Sequence, residues 1–233
     1  MNILITGASK GIGKIIAEEL KSIGNIFVTG RNENALKSCN AINYCVCDLS
    51  KDCTPLEKFI EENKIDVLIN NAGEYIYGGL ETLSQVDIQR LYQTNLIAPA
   101  LLCAKAIPYM KSQKWGRIIN IGSISGVMGE AYASIYSSSK SGLLGLTKAL
   151  ALELAEFNIT VNTINPGWVD TELGQNSIDE SEFSKEEIIE CIPQKRFVAP
   201  KEIAGLCKYL ISDTAKGITG QGINLCAGLS VGI

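Results

Sequence analysis

The sequence predicts a three-layer α/β domain, a doubly wound parallel sheet with helices on both faces. Short β-branched runs alternate with helical stretches from the first residue onward, the pattern of strand–helix–strand units. Several runs, Ile3-Leu4-Ile5, Asp66-Val67-Leu68-Ile69 and Arg117-Ile118-Ile119-Asn120-Ile121 among them, are almost continuously apolar, as strands covered on both faces are. The length, 233 residues, suits one large domain and can bury a core without disulfide or metal staples.

Taken in order, residues 2–6 read as a strand, 11–23 as a helix, 26–29 as a strand, 33–39 as a helix and 42–46 as a strand. A helix over 54–63 and a strand over 65–70 follow, then a long helix over 84–112 and a strand over 117–122. The series closes with a helix over 134–156, a strand over 159–165, a helix over 200–212 and a strand over 222–226. The rhythm breaks only at 168–199, a polar, acidic stretch closed by Pro193 and Pro200. A break of that length inside a compact domain is usually functional, so a substrate lid is expected near 172–198 within one domain spanning 1–233.

Composition excludes several chemistries. Histidine is absent, which removes Ser-His-Asp and Cys-His nucleophile systems and imidazole-bound zinc, leaving Tyr, Lys, Asp, Glu or Cys for acid–base work. A net charge of −4 gives no basic field for nucleic acid. Eight cysteines without a C-x-x-C pair read as small core residues in a reducing cytoplasm, and neither a secretion signal nor a membrane-spanning run is expected. Cys45 and Cys47 share a strand face, but two thiols alone make a poor metal site, so no metal is expected.

The run Thr6-Gly7-Ala8-Ser9-Lys10-Gly11-Ile12-Gly13 lies between the first strand and the first helix. Glycines there allow a tight turn and close backbone approach, and a helix N-terminus offers free N–H groups to a diphosphate. The spacing differs from both G-x-G-x-x-G and the phosphate-loop pattern, and a plain strand–helix turn is the competing reading. An NAD site usually carries an acid about 20 residues downstream, on the ribose hydroxyl. Here the second strand ends Val28-Thr29-Gly30-Arg31, so Arg31, with Lys10 in the adjacent loop, points to a 2′-phosphate and to NADP(H), unless both are ordinary solvated cations.

These motifs together resemble the short-chain dehydrogenase/reductase family over essentially the whole chain, which implies a Rossmann fold and an oxidoreductase. The loop with Gly7, Ser9, Lys10, Gly11, Ile12 and Gly13 is similar to that family's cofactor loop, and Asn70-Asn71-Ala72-Gly73 to its fourth-strand motif. Cys47-Asp48-Leu49 resembles the segment that holds the adenine. Pro166-Gly167-Trp168-Val169-Asp170-Thr171 resembles the segment beside the nicotinamide, through Pro166, Gly167, Val169 and Thr171. Ser123 and Tyr136-Ser-Ser-Ser-Lys140, at an interval of 13 residues, resemble the catalytic motifs, and Asn95 falls in the family's T-N-L context. Asp48 also suits a cap for the helix beginning near Thr54.

The residue types fit the chemistry. Tyr136 and Lys140 are four apart and share a helix face. A phenol with an ordinary pKa of about 10 needs a neighbouring cation to exchange protons near neutrality, and Lys140 with a cationic nicotinamide is expected to lower it. Tyr136 is then the acid in reduction and the base in oxidation. Ser123, just after a strand, is placed to donate to the substrate oxygen. Asn95 is unfavourable in mid-helix, and the resemblance implies that it interrupts the helix to hold a water on a proton path to Lys140. The resemblance also implies that Lys140 bonds the nicotinamide ribose.

The pattern, with Lys10 and the ending Gly217-Ile-Thr-Gly-Gln-Gly-Ile-Asn-Leu-Cys-Ala-Gly228, is most similar to 3-oxoacyl-acyl-carrier-protein reductases. It implies NADPH-dependent reduction of a ketone to a secondary alcohol, with a carbonyl or thioester substrate and a homodimer or homotetramer. Cys226-Ala227-Gly228 departs from the family's usual Asp-Gly-Gly. An NAD-linked alcohol or sugar dehydrogenase of the same fold, or a dinucleotide-binding regulator without turnover, are the other readings.

Overall fold

The computed structural model describes residues 1–179 and 183–231. Seven strands form one sheet in the order β3-β2-β1-β4-β5-β6-β7. They are β1 (Asn2–Thr6), β2 (Asn25–Gly30), β3 (Asn43–Val46), β4 (Val67–Asn70), β5 (Gly116–Ile121), β6 (Ile159–Pro166) and β7 (Gly222–Leu225). Every pairing is parallel, with Ile3 opposite Ile26 on one side and Val67 on the other. The chain reverses its direction of travel between β1 and β4, and a crevice opens there beyond the carboxyl ends of the strands.

The apolar runs follow from burial on two faces. Ile3 and Ile5 point into one core with Ile16 and Leu20 of α1 (Gly11–Leu20) and Ile203 and Leu210 of α10 (Pro200–Ile211). Leu4 points into the other core, with Leu56 and Ile60 of α3 (Thr54–Asn63) and Leu102 of α5 (Ala98–Gln113). A strand whose odd and even residues are both buried cannot alternate in polarity.

The remaining helices are α2 (Glu33–Lys37), α4 (Gln85–Tyr92), α6 (Ser125–Met128), α7 (Ser134–Leu154), α8 (Glu172–Asp179) and α9 (Lys185–Cys191). The long helix expected over 84–112 is two helices joined by a π-helical turn at Gln93–Ile97, with Asn95 inside it. The stretch that breaks the strand–helix rhythm holds α8 and α9, and the start of α9 is fixed by a capping box between Ser184 and Glu187. Residues 180–182 of the expected lid, and residues 232–233 of the expected domain, lie outside the described residues. No helix among the described residues is long and apolar enough to cross a membrane.

A buried polar chain pins α7 to the sheet. Asn70 donates to Asn120 at 2.9 Å, Asn120 donates to Thr147 at 2.9 Å, and Thr147 pairs with Thr163 at 2.7 Å. Four elements are thus locked in register directly below the crevice, since leaving any of these groups unpaired in the core is costly.

Candidate active site

At the carboxyl ends of the strands lies a cavity of about 1380 Å³. That is roomier than the roughly 300–1000 Å³ of an ordinary ligand pocket. Its first wall is the glycine-rich loop. Gly7, at φ +66°, and Gly11, at φ +55°, occupy the left-handed region that favours glycine. A Cβ on Gly7 would stand 2.8 Å from the Ala72 Cα. Lys10 is the N-cap of α1 and makes no side-chain cap, so the first N–H groups of that helix remain available to an anion. Gly13 does not line the cavity; it allows the close approach of α1 to the loop and β4, because a Cβ there would meet the Gly7 carbonyl and the Asn71 amide at 2.5 Å.

Thr6 holds the next wall. Its hydroxyl accepts from the backbone N–H groups of Asn71 and Ala72, both at 2.9 Å, while the Asn71 amide donates to the Thr6 carbonyl at 2.8 Å. Ser9, Lys10, Ile12, Leu49, Gly73, Pro166, Gly167, Val169 and Thr171 line the cavity as well. Asp48 also lines it and does not cap α3. Its carboxylate accepts from the Ser50 N–H and hydroxyl at 3.2 and 2.7 Å, which holds it below the usual carboxylate range. The N–H of Thr54 is satisfied by Asp52 instead.

At this end of the cavity the cations are partly engaged. Arg31 is 3.8 Å from Glu74, which also binds Arg90 at 3.1 Å, and Lys10 pairs with Glu172 of α8 at 2.7 Å. Arg31 remains two-thirds exposed, so solvent screens its pair and the guanidinium is available to a phosphate.

The floor carries Ser123, Tyr136 and Lys140. Lys140, one turn after Tyr136 on α7, is buried and donates to the Ile121 carbonyl at 2.9 Å. Burial lowers its pKa to about 8. Its ammonium lies 5.7 Å from the centre of the Tyr136 ring. The expected lowering of the Tyr136 phenol is not found in the protein alone. Burial, aided by the charge of Glu130 and only partly offset by Ser123, pushes the phenol up to about 12. Asn95 stands behind the cavity wall rather than on it. Its amide oxygen accepts from the Glu74 N–H at 2.8 Å, and its nitrogen donates to the Glu74 carbonyl at 2.8 Å and to Ser139 at 3.2 Å. A Cβ on Gly73 would touch both the Asn95 oxygen and the Lys140 nitrogen at 3.4 Å, so only the bare glycine edge separates them.

The structure adds residues that motif reading passed over. The Ser123 hydroxyl donates to Ser125 at 3.1 Å, Ser125 donates to Glu130 at 2.6 Å, and the Tyr75 hydroxyl donates to the same carboxylate at 2.7 Å. Glu130 is the one acid between Ser123 and Tyr136, which was the available signal.

The short chain dehydrogenase family pattern matches residues 1–182. The chain belongs to that family. A 3-oxoacyl-[acyl-carrier-protein] reductase of Rickettsia felis is 36% identical over 234 residues, covering 97% of this chain and 95% of that protein. An uncharacterized oxidoreductase of Bacillus subtilis (strain 168) is 36% identical over 249 residues, covering 97% and 96%. Among solved structures, an actinorhodin polyketide ketoreductase variant with NADPH superposes with a TM-score of 0.90 at 33% identity, covering 99% of this chain and 97% of that one. An NADPH dependent reductase involved in bacilysin biosynthesis reaches a TM-score of 0.92 at 27% identity, covering 100% and 99%.

Proposed function

We propose that this short chain dehydrogenase reduces a ketone to a secondary alcohol with NADPH, with Tyr136 as the acid. The carrying observation is the Tyr136 phenol on the cavity floor, beside the Ser123 hydroxyl and one helical turn from a buried ammonium. The dinucleotide fits the residues present: the Gly7 cradle has no space for a side chain, the start of α1 is uncapped, and Arg31 and Lys10 replace the acid of an NAD site. When bound, NADPH supplies the hydride for the carbonyl carbon.

The chain's own residues do the rest. Gly7, Ser9, Gly11 and Ile12 take the diphosphate, Arg31 and Lys10 the 2′-phosphate, Asp48 and Leu49 the adenine side, and Asn71 to Gly73 with Pro166 to Thr171 flank the ribose and nicotinamide. Ser123 turns its hydroxyl to the substrate oxygen, and Tyr136 hands that oxygen its proton. Lys140 faces the ribose, and its positive field favours the developing negative charge. Asn95 fixes the Glu74 backbone and Ser139 around it. Helices α8 and α9 form the lid, since Leu173, Ser177 and Ile188 face the cavity. The relatives favour a 3-oxoacyl thioester or similar β-dicarbonyl as substrate.

Exposed apolar side chains on α5 and α7, Ile97 just before α5, Leu101 and Leu152, support a homodimer or homotetramer. Eight free thiols support a cytoplasmic setting. Tyr136→Phe should cut NADPH oxidation with acetoacetyl thioester by about 10²–10⁴-fold while NADPH still binds in a fluorescence titration. Activity retained within tenfold removes Tyr136 as the acid.

A further inference from the structure

The cavity's charges are unevenly balanced. Among the described lining residues the cations Lys10, Arg31 and Arg90 lie at the glycine-loop end, offset there by Asp48, Glu74 and Glu172, and Lys140 is buried. Beyond Tyr136, the lining charges are carboxylates: Glu130, with Glu186, Glu187 and Glu190 of α9.

Glu130 is a built feature of this wall. Tyr75 holds one carboxylate oxygen and Ser125 the other, and the Glu130 N–H donates to Ser137 at 3.1 Å, beside the catalytic tyrosine. Four tyrosines line the same cavity, and one of them, Tyr75, bonds Glu130 directly. Tyr75 meets Tyr136 edge-on at 4.9 Å, and Tyr77 packs on Tyr132 at 5.6 Å. Tyr132 is more than half exposed and sits at φ +60°, a strained conformation for a bulky residue. Its carbonyl accepts from the Gly78 N–H at 2.7 Å, which ties the two tyrosine-bearing loops together.

For a neutral ketone this wall is poorly chosen. Reduction builds negative charge on the carbonyl oxygen, and a carboxylate two hydrogen bonds from Ser123 opposes it in a site of low polarity. A positive charge on the substrate reverses that sign. Tyrosine faces with a fixed carboxylate are also the surfaces that attract an ammonium.

We infer that Tyr75, Tyr77, Glu130 and Tyr132 form a subsite for a protonated amine carried on one arm of the ketone, so that a ketone bearing such an amine is preferred over its neutral counterpart. This rests on the ketoreductase reading and narrows its substrate. The test pairs N-methyl-4-piperidone, cationic near neutrality, with 4-methylcyclohexanone, its neutral counterpart, in NADPH oxidation at pH 7. The wild type should favour the cation about tenfold in kcat/KM, an advantage that shrinks as salt is raised. Glu130→Gln should bring the ratio of the two kcat/KM values to about one, and Tyr132→Leu should lower it about threefold. Thermal unfolding confirms that both variants fold.

A ratio near one in the wild type, or a preference that survives in Glu130→Gln, overturns the subsite. So does turnover of acetoacetyl thioester with neither matched ketone reduced. In each of these cases the ketoreductase reading stands. That reading falls separately if Tyr136→Phe keeps its activity.

Discussion

Lys140 offers a direct measure of how much stability the site gives up. Its amine is buried, makes one hydrogen bond, to the Ile121 carbonyl, and has its pKa brought from 10.5 to about 8 by desolvation. At about 1.36 kcal/mol per pH unit, that gap corresponds to roughly 3 kcal/mol. The sign follows from linkage. Between pH 8 and 10.5 the unfolded chain holds a proton that the folded chain has lost, so stability rises with pH across that window. Below about pH 8 both states are protonated and the full penalty is present. Lys140→Met keeps the length and apolar stem of the side chain and removes the titrating group. Urea unfolding of both proteins from pH 6.5 to 10 should give a stability difference that is flat up to about pH 8. Above it, the wild type should gain on the variant by up to roughly 3 kcal/mol. The variant should match or exceed the wild type at pH 7 while losing ketone reduction, the usual exchange between stability and function. A difference that stays constant from pH 7 to 10 refutes the buried-ammonium account.

Two further perturbations test other parts of the structure. Arg31→Asp should weaken NADPH binding by tenfold or more, the effect of about 1.4 kcal/mol, and NADH binding far less; equal losses in fluorescence titration would reject the 2′-phosphate contact. Ala227 sits at φ +52°, next to Gly228 at φ +92°. Ala227→Gly should relieve a cost of about 1 kcal/mol net of the added chain entropy and raise the thermal midpoint by about 2–4 °C, so an unchanged or lower midpoint would show that the turn carries no strain.

The legible parts of the fold were those whose cause is local. Strand residues with both faces buried, such as Ile3 to Ile5 and Val67 to Ile69, announce themselves because two cores demand apolar groups at every position. The helix boundaries were blurred where the deciding contacts are distant. Asn95 marked an interruption near residue 93, but nothing local gave its form as a π turn. The turn is held by Asn95, whose side chain grips the Glu74 backbone 21 residues away and Ser139 44 residues away. Helices α8 and α9 were harder to bound because both are short and acidic, although the Ser184–Glu187 capping box that starts α9 was present in the sequence.

The site divided along the same line. Motif spacing brought Ser123, Tyr136 and Lys140 to one floor, because Tyr136 and Lys140 share a helix face and Ser123 follows the end of a neighbouring strand. It misjudged their electrostatics, because a pKa depends on burial and on charges that arrive from elsewhere in the chain. Tyr136 was expected to lose its proton readily through Lys140. In the fold, desolvation acts on both groups at once, raising the phenol and lowering the amine, and Glu130 adds its charge on the phenol side. The result is a tyrosine that keeps its proton across the whole physiological range. Such a phenol carries its proton at neutral pH but is a weak acid, so proton transfer in either direction depends on a nearby positive charge that stabilises the phenolate, and Lys140 is the cation placed to supply it.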